Sequence, residues 1–344
     1  NMLTLADSPT LTLVASLPVS PGNITLTPDN RIFFSLHQFY NPEIPVAELV
    51  NGLVKPLTTD TKSLGISFDS VLGIQADANG FLWILDNGNQ SQSLPKLVAW
   101  DTNSEQLARV IYLPPPITLS NSFINDLAID LSRDVIYISD PIAGIESALI
   151  RVDLKTGLAT RILQGHISVI PQDLDLIIDD TPVQIKQPDG TMLRPHLGVN
   201  GLVLDPQNKW LYYCPMHGTS MYRAKSADLS NPNLTPAELS SRVERYSDKP
   251  ICDGISIDQD HNLYLGDLAA NKLGIIKPDR SYQTLETDKK LSWIDSFSFG
   301  NDGYLYFNCD QLHLSAPLNG GKDDSQAPYE IWRIKPLSPG FTGR

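Results

Sequence analysis

Four side chains of this sequence are hard oxygen donors in one shared local context. Asn125, Asn200, Asp253 and Asp295 each head a short apolar run: Asn125-Asp126-Leu127-Ala128-Ile129-Asp130, Asn200-Gly201-Leu202-Val203-Leu204-Asp205, Asp253-Gly254-Ile255-Ser256-Ile257-Asp258 and Asp295-Ser296-Phe297-Ser298-Phe299. Calcium takes six to eight such oxygens, from carboxylates, amide carbonyls and water. Two amides plus two carboxylates match the charge of one divalent ion, so the expected metal ligands are Asn125, Asn200, Asp253 and Asp295, with calcium as the ion. A bound cation polarises a carbonyl and lowers the pKa of a bound water. Asp253 or His196 is then the expected catalytic residue, taking the water's proton in a lactone- or ester-hydrolysing enzyme. Without catalysis, Asn23, Asn125, Asn200, Asp295 and His217 are the expected contacts for a small polar or cationic molecule. Asn and Asp at strand starts also bond nearby backbone, which is the purely structural use of the same residues.

The six histidines are His37, His166, His196, His217, His261 and His313. No pair has zinc-like spacing. His196 lies just before Asn200, and His217 follows a strand-like segment, so both are expected near the same mouth, where an imidazole can act as a base near neutral pH. No phosphate loop, nucleophile elbow or dinucleotide fingerprint occurs in the required strand–turn–helix context.

These residues need an element that gathers them, and the repetition supplies it. Gly22–Leu26 and Leu72–Asp77 carry the same theme as the four runs above, giving six copies. Most copies continue into a polar turn and a second apolar strand, as in Asn79-Gly80 and then Phe81–Leu85. Hairpins such as Lys96–Asp101 with Leu107–Leu113 complete units of four strands, the composition of a propeller blade. The last unit ends on Tyr329–Ile334 with no fourth strand, whereas Leu11–Leu17 has no local partner. The expected fold is all-β: a six-bladed β-propeller with four-stranded antiparallel blades, closed by the N-terminal strand completing the last blade, as one domain over residues 1–344. The residue starting each inner strand then faces a central channel. The stretch of about 35 residues between Leu163 and Asn200 is long for a compact domain. It is expected as a lid-like insertion at 164–198 over the channel entrance.

Composition narrows the partners. The chain has 344 residues, 26 basic and 39 acidic side chains, and a net charge of −13. That balance argues against nucleic acid or an anionic membrane. A monomer or weak oligomer is expected. Three cysteines, Cys214, Cys252 and Cys309, are too few for a disulfide framework.

The segments Leu82-Trp83-Ile84-Leu85-Asp86-Asn87-Gly88, Lys96-Leu97-Val98-Ala99-Trp100-Asp101, Tyr137-Ile138-Ser139-Asp140, Leu211-Tyr212-Tyr213-Cys214-Pro215 and Ile294-Asp295-Ser296-Phe297 resemble the major royal jelly protein and yellow family. That resemblance implies a six-bladed propeller, often secreted (a periplasmic place is the bacterial equivalent), with small-molecule binding in some members and no uniform enzyme activity. Asn125 in Asn-Asp, Asn200 in Asn-Gly and Asp253 in Asp-Gly are also similar to the metal ligands of calcium-dependent gluconolactonase- and paraoxonase-like propellers. The first-unit Glu of those proteins is replaced here by Gly22-Asn23. Asp295 is expected to restore the lost charge and Asn23 to supply an oxygen.

Overall fold

The structure is a computed structural model and describes residues 11–57, 66–141 and 144–344. Among them, six four-stranded antiparallel sheets form a ring. Blade 1 comprises Pro21–Leu26, Ile32–Leu36, Val46–Val50 and Leu53–Pro56; blade 2, Val71–Ala76, Phe81–Asp86, Lys96–Asp101 and Gln106–Tyr112. Blade 3 comprises Leu127–Asp130, Val135–Asp140, Ala148–Asp153 and Ala159–Ile162; blade 4, Val199–Leu204, Trp210–Pro215, Ser220–Lys225 and Glu244–Asp248. Blade 5 comprises Ile255–Ile257, Leu263–Asp267, Lys272–Ile276 and Tyr282–Thr287. Blade 6 has Ile294–Phe299, Leu305–Cys309 and Tyr329–Ile334 from the C-terminal end, and Thr12–Leu17 pairs with Tyr329–Ile334 as its fourth strand. Closure leaves no inner edge unpaired.

The repeated terminal acids build the turns. Asp77 Oδ1 accepts from the Asn79 and Phe81 amides while Oδ2 accepts from the Trp83 indole. Asp205 takes the amides of Gln207, Lys209 and Trp210 in the same way, and Asp258 those of Asp260 and Asn262. Each is an Asx-type turn that joins the first two strands of a blade.

Blade packs on blade through apolar faces. Ala128 and Tyr137 of blade 3 meet Leu202, Leu211 and Tyr213 of blade 4. Burial on both faces explains inner strands such as Leu202-Val203-Leu204, apolar at every position. Polar stitches cross the same seams: Thr25 accepts from the Ala76 amide, and Ser296 from the Ile24 amide. Across the closure seam, Asn308 donates to the carbonyls of Pro21 and Gly22.

Glycine lets the strand starts converge. A Cβ at Gly201 or at Gly254 would stand 2.5 Å from the backbone oxygen of Asp253 or Asp295, respectively, in the next blade. Gly73 meets the Asn125 oxygen likewise. No larger residue fits there, so the residues just before these glycines crowd the axis.

Candidate functional site

Those crowded residues form one floor. A cavity of about 360 Å³ opens at this end of the channel, and Leu72, Asn125, Asn200, Asp253 and Asp295 line its base. Its walls are apolar and aromatic, among them Phe39, Phe123, Met216, Trp293 and Leu318. The segment 164–198 carries two short hairpins, Ile177–Ile178 with Thr181–Pro182 and Ile185–Lys186 with Met192–Leu193. Ile185, Pro195 and Leu197 of this segment line the cavity. Gln184 bridges to Asn319 and ties the segment to the last blade's long loop.

The expected place of Asn23 needs correction. Strand register makes Gly22 the counterpart of Leu72 and Asn200, and Asn23 that of Gly73 and Gly201, so the axial position of blade 1 carries no side chain and Asn23 lies one step further down the channel. There it lines a separate hole of about 30 Å³ with Gln75, Asp126 and Arg344. Arg344 crosses that lower end, donating to the carbonyls of Asp205 and Ile129. Blade 1 contributes His37 to the floor instead, from just beyond its second strand.

His196 and His217 sit beside the cavity rather than in it. Neither is among its lining residues, although their neighbours Pro195, Leu197 and Met216 are. His196 Nε2 lies 2.7 Å from Asp175 Oδ1, and Arg194 holds the other oxygen of that carboxylate. His217 is buried, and its Nδ1 accepts the Leu197 amide, pinning the inserted segment. Burial pulls the His217 pKa down to about 4, helped by nearby His196 and Lys249.

Hydrogen bonds run in one direction across the floor. The Asn125 amide donates to Asn200 Oδ1, the Asn200 amide donates to Asp253 Oδ1 at 2.9 Å, and the Trp293 indole donates to Asp253 Oδ2 at 2.9 Å. Burial raises Asp253 to about 6, against the pull of Trp293, Asp295 and Asn200. Asp126, just below, is raised to about 7 by burial and then by the Asp253 charge.

The other half of the floor is unmet. Asp295 Oδ2 and both oxygens of Asp310 are buried without a hydrogen-bond partner. Burial pushes both carboxyls well above the usual range, and for Asp295 the Asp253 and Asp310 charges add to it. His37 Nε2 lies 4.0 Å from Asp295 Oδ2. Its Nδ1 accepts the Phe39 amide at 3.2 Å, which leaves the neutral ring's proton on Nε2. Burial lowers the His37 pKa to about 3, so the pair is a neutral imidazole beside a carboxyl group, not an ion pair.

This arrangement tests calcium. An oxygen cage would need Asn200 Oδ1 and the Asp253 oxygens turned to a shared centre. Three N–H donors point at those atoms instead. Asn125, Asn200 and Asp253 as arranged therefore satisfy one another and present no shared oxygen cage for calcium, whereas Asp295 Oδ2 stays unmet. Asp310, one residue past the second strand of blade 6, joins this floor and is fully buried, a place the inner-strand repeat does not reach.

Comparison with known proteins follows the same lines. The family model for "Major royal jelly protein" matches residues 69–315, well over half of the chain. The chain belongs to the major royal jelly protein family. Major royal jelly protein 3 of Apis mellifera is 24% identical over 174 residues, 47% of this chain and 30% of that protein. Major royal jelly protein 5 of the same bee is 27% identical over 158 residues, 44% of this chain and 25% of that protein. The matched segments thus span less than a third of these relatives. Among solved structures, a luciferin-regenerating enzyme superposes with a TM-score of 0.62 at 15% identity, covering 98% of both chains. A gluconolactonase from Xanthomonas campestris gives 0.59 at 12%, covering 95% of this chain and 89% of that one. The calcium-binding protein regucalcin from Agrobacterium tumefaciens gives 0.58 at 12%, covering 96% and 98%. At these identities the likeness shows the shared propeller fold. No helix among the described residues is long and apolar enough to cross a membrane.

Proposed function

We propose that this propeller binds a small molecule with an apolar body and a cationic head at the mouth of its central channel. One observation carries the reading: a cavity of about 360 Å³ with aromatic and aliphatic walls ends on a floor bearing Asp253 and Asp295. Concave apolar sites with a few convergent polar groups are the usual form of small-molecule sites. Buried carboxylates without basic partners favour a cationic guest, because it offsets the cost of ionising them. Asn125 keeps its carbonyl oxygen free to accept a second N–H from the head. Secretion, the expectation from the family resemblance, agrees with this role and is proposed with it.

The test is a charge-matched pair of probes, phenethylamine and its neutral analogue 2-phenylethanol. Titration calorimetry is expected to show the amine binding at least tenfold more tightly, and Asp253→Asn to erase most of that preference. Equal affinity for the two probes refutes the reading. The second reading, metal-dependent lactone or ester hydrolysis, draws on the same axial Asn/Asp set and needs its amides turned to aim their oxygens at a shared ion. Turnover of a lactone and ester panel that is lost in Asn200→Ala would put it first.

A further inference from the structure

Among the described residues, Asp310 lacks the cation that acids at this end of other blades meet. The residue ending the second strand of a blade is acidic in blades 2, 3 and 5, and each such acid has a cation facing it. Lys96 stands opposite Asp86 in register and bonds it at 3.0 Å. Arg161 reaches Asp140 at 2.7 Å. Lys272 stands opposite Asp267. In blade 6 that register position is Cys309, facing Glu330, and Asp310 follows one step past the strand end. Among the described residues no Lys or Arg pairs with Asp310, and both its carboxylate oxygens are buried and unpartnered.

Two neighbours share this condition. Asp295 Oδ2 is also buried without a partner. One ligand atom from each of His37, Asp295 and Asp310 lies within 4.8 Å of the other two, and all three residues are buried. Donor atoms bound to one small metal ion stand roughly 3–4 Å apart, given bonds of about 2.0–2.2 Å. A slight contraction brings the three to that spacing.

We propose that His37, Asp295 and Asp310 form a site for a divalent first-row metal ion of the zinc or manganese class, beside the ligand cavity. One imidazole nitrogen with two carboxylates suits such borderline ions better than calcium, which prefers oxygen throughout. To ligate, Nε2 gives up its proton. That proton moves to Nδ1, at the expense of the 3.2 Å bond from the Phe39 amide, so the ring ligates as neutral imidazole. The charges also balance. With Asp253, Asp295 and Asp310 ionised the floor carries three negative charges, and a divalent ion leaves one. Asp253 would then remain for a singly charged ligand head, while Asp295 could meet metal and ligand through different oxygens.

The test uses the metal alone and does not depend on the ligand proposed above. Chelator-treated full-length protein is titrated with zinc chloride and with manganese chloride by calorimetry. One ion per chain is expected, with affinity weakened at least tenfold in Asp310→Asn and in His37→Gln. Asp267→Asn, which changes the acid at the end of the second strand of blade 5, is expected to bind within twofold of wild type. Circular dichroism shows whether each variant is folded, and zinc-edge anomalous scattering from soaked wild-type crystals places the ion without any variant. A peak between the three residues supports the site. No stoichiometric binding, unchanged affinity in both folded variants, or a peak elsewhere overturns it.

Discussion

His37 offers the cleanest perturbation of the floor. Its imidazole is fully enclosed, and burial alone drives its pKa from 6.5 to about 3. The folded-state value is depressed, so the unfolded chain binds the extra proton first. Stability attributable to this residue is intact above the unfolded pKa and is lost as pH falls from about 6.5 toward 3. One pKa unit is about 1.4 kcal/mol, so the wild type should lose about 2 kcal/mol by pH 5 and about 3 kcal/mol by pH 4, relative to a protein without the group. Substituting His37→Gln removes the titration and keeps a polar side chain. Urea unfolding of both proteins in chelating buffer, at steps from pH 7 to pH 4, isolates the difference, because every other titrating group is common to both. With m of about 3 kcal/mol/M, the gap between the two midpoints should change by about 1 M across that range. A gap that stays constant to within about 0.5 kcal/mol refutes the reasoning. It would mean that water or an ionised Asp295 lets the folded ring take its proton as readily as the unfolded one.

Three further outcomes follow from the same geometry. Gly254→Ala drives a Cβ into the Asp295 carbonyl oxygen, so a loss of roughly 2 kcal/mol or more is expected in denaturant unfolding, together with loss of probe binding. Trp293→Phe keeps the apolar wall but removes the donor to Asp253 Oδ2. Stability above pH 6 should fall by about 1–3 kcal/mol, read from the same unfolding curves. Asp253 ionises only near pH 6, so the affinity of phenethylamine by calorimetry should rise as pH passes from 5 to 7 and then level, whereas 2-phenylethanol should show no such step.

The ring was legible in the sequence because its signal is redundant. Six copies of one strand theme, each closed by a turn-building acid such as Asp77 or Asp205, leave little freedom of assignment, and the unpaired strands at the two ends predict the closure. The axial floor was legible for the same reason: Asn125, Asn200, Asp253 and Asp295 hold one place in four repeats. Blade 1 misled because its axial residue is Gly22, which carries no side chain, and Asn23 drew attention one position too far along. His37 fills the gap from the far end of the second strand, a place no inner-strand alignment examines. Asp310 was hidden by the pattern: the strand-end acids Asp86 and Asp267 face Lys96 and Lys272, but their register counterpart in blade 6 is Cys309 facing Glu330, and Asp310 lies one step beyond it. The direction of the Asn125–Asn200–Asp253 bonds was not readable. It depends on amide orientation and on the Trp293 indole reaching the floor from before its strand, and neither is set by residue spacing.

The central claim is a cationic head on an acidic floor beneath apolar walls. A crystal structure of the protein with phenethylamine addresses it most directly. Ring density is expected between Phe39, Phe123 and Leu197, with the amine nitrogen within hydrogen-bond distance of Asp253 or Asp295. Amine density on the outer surface, or a ring in the cavity with its nitrogen turned away from both carboxylates, would contradict it.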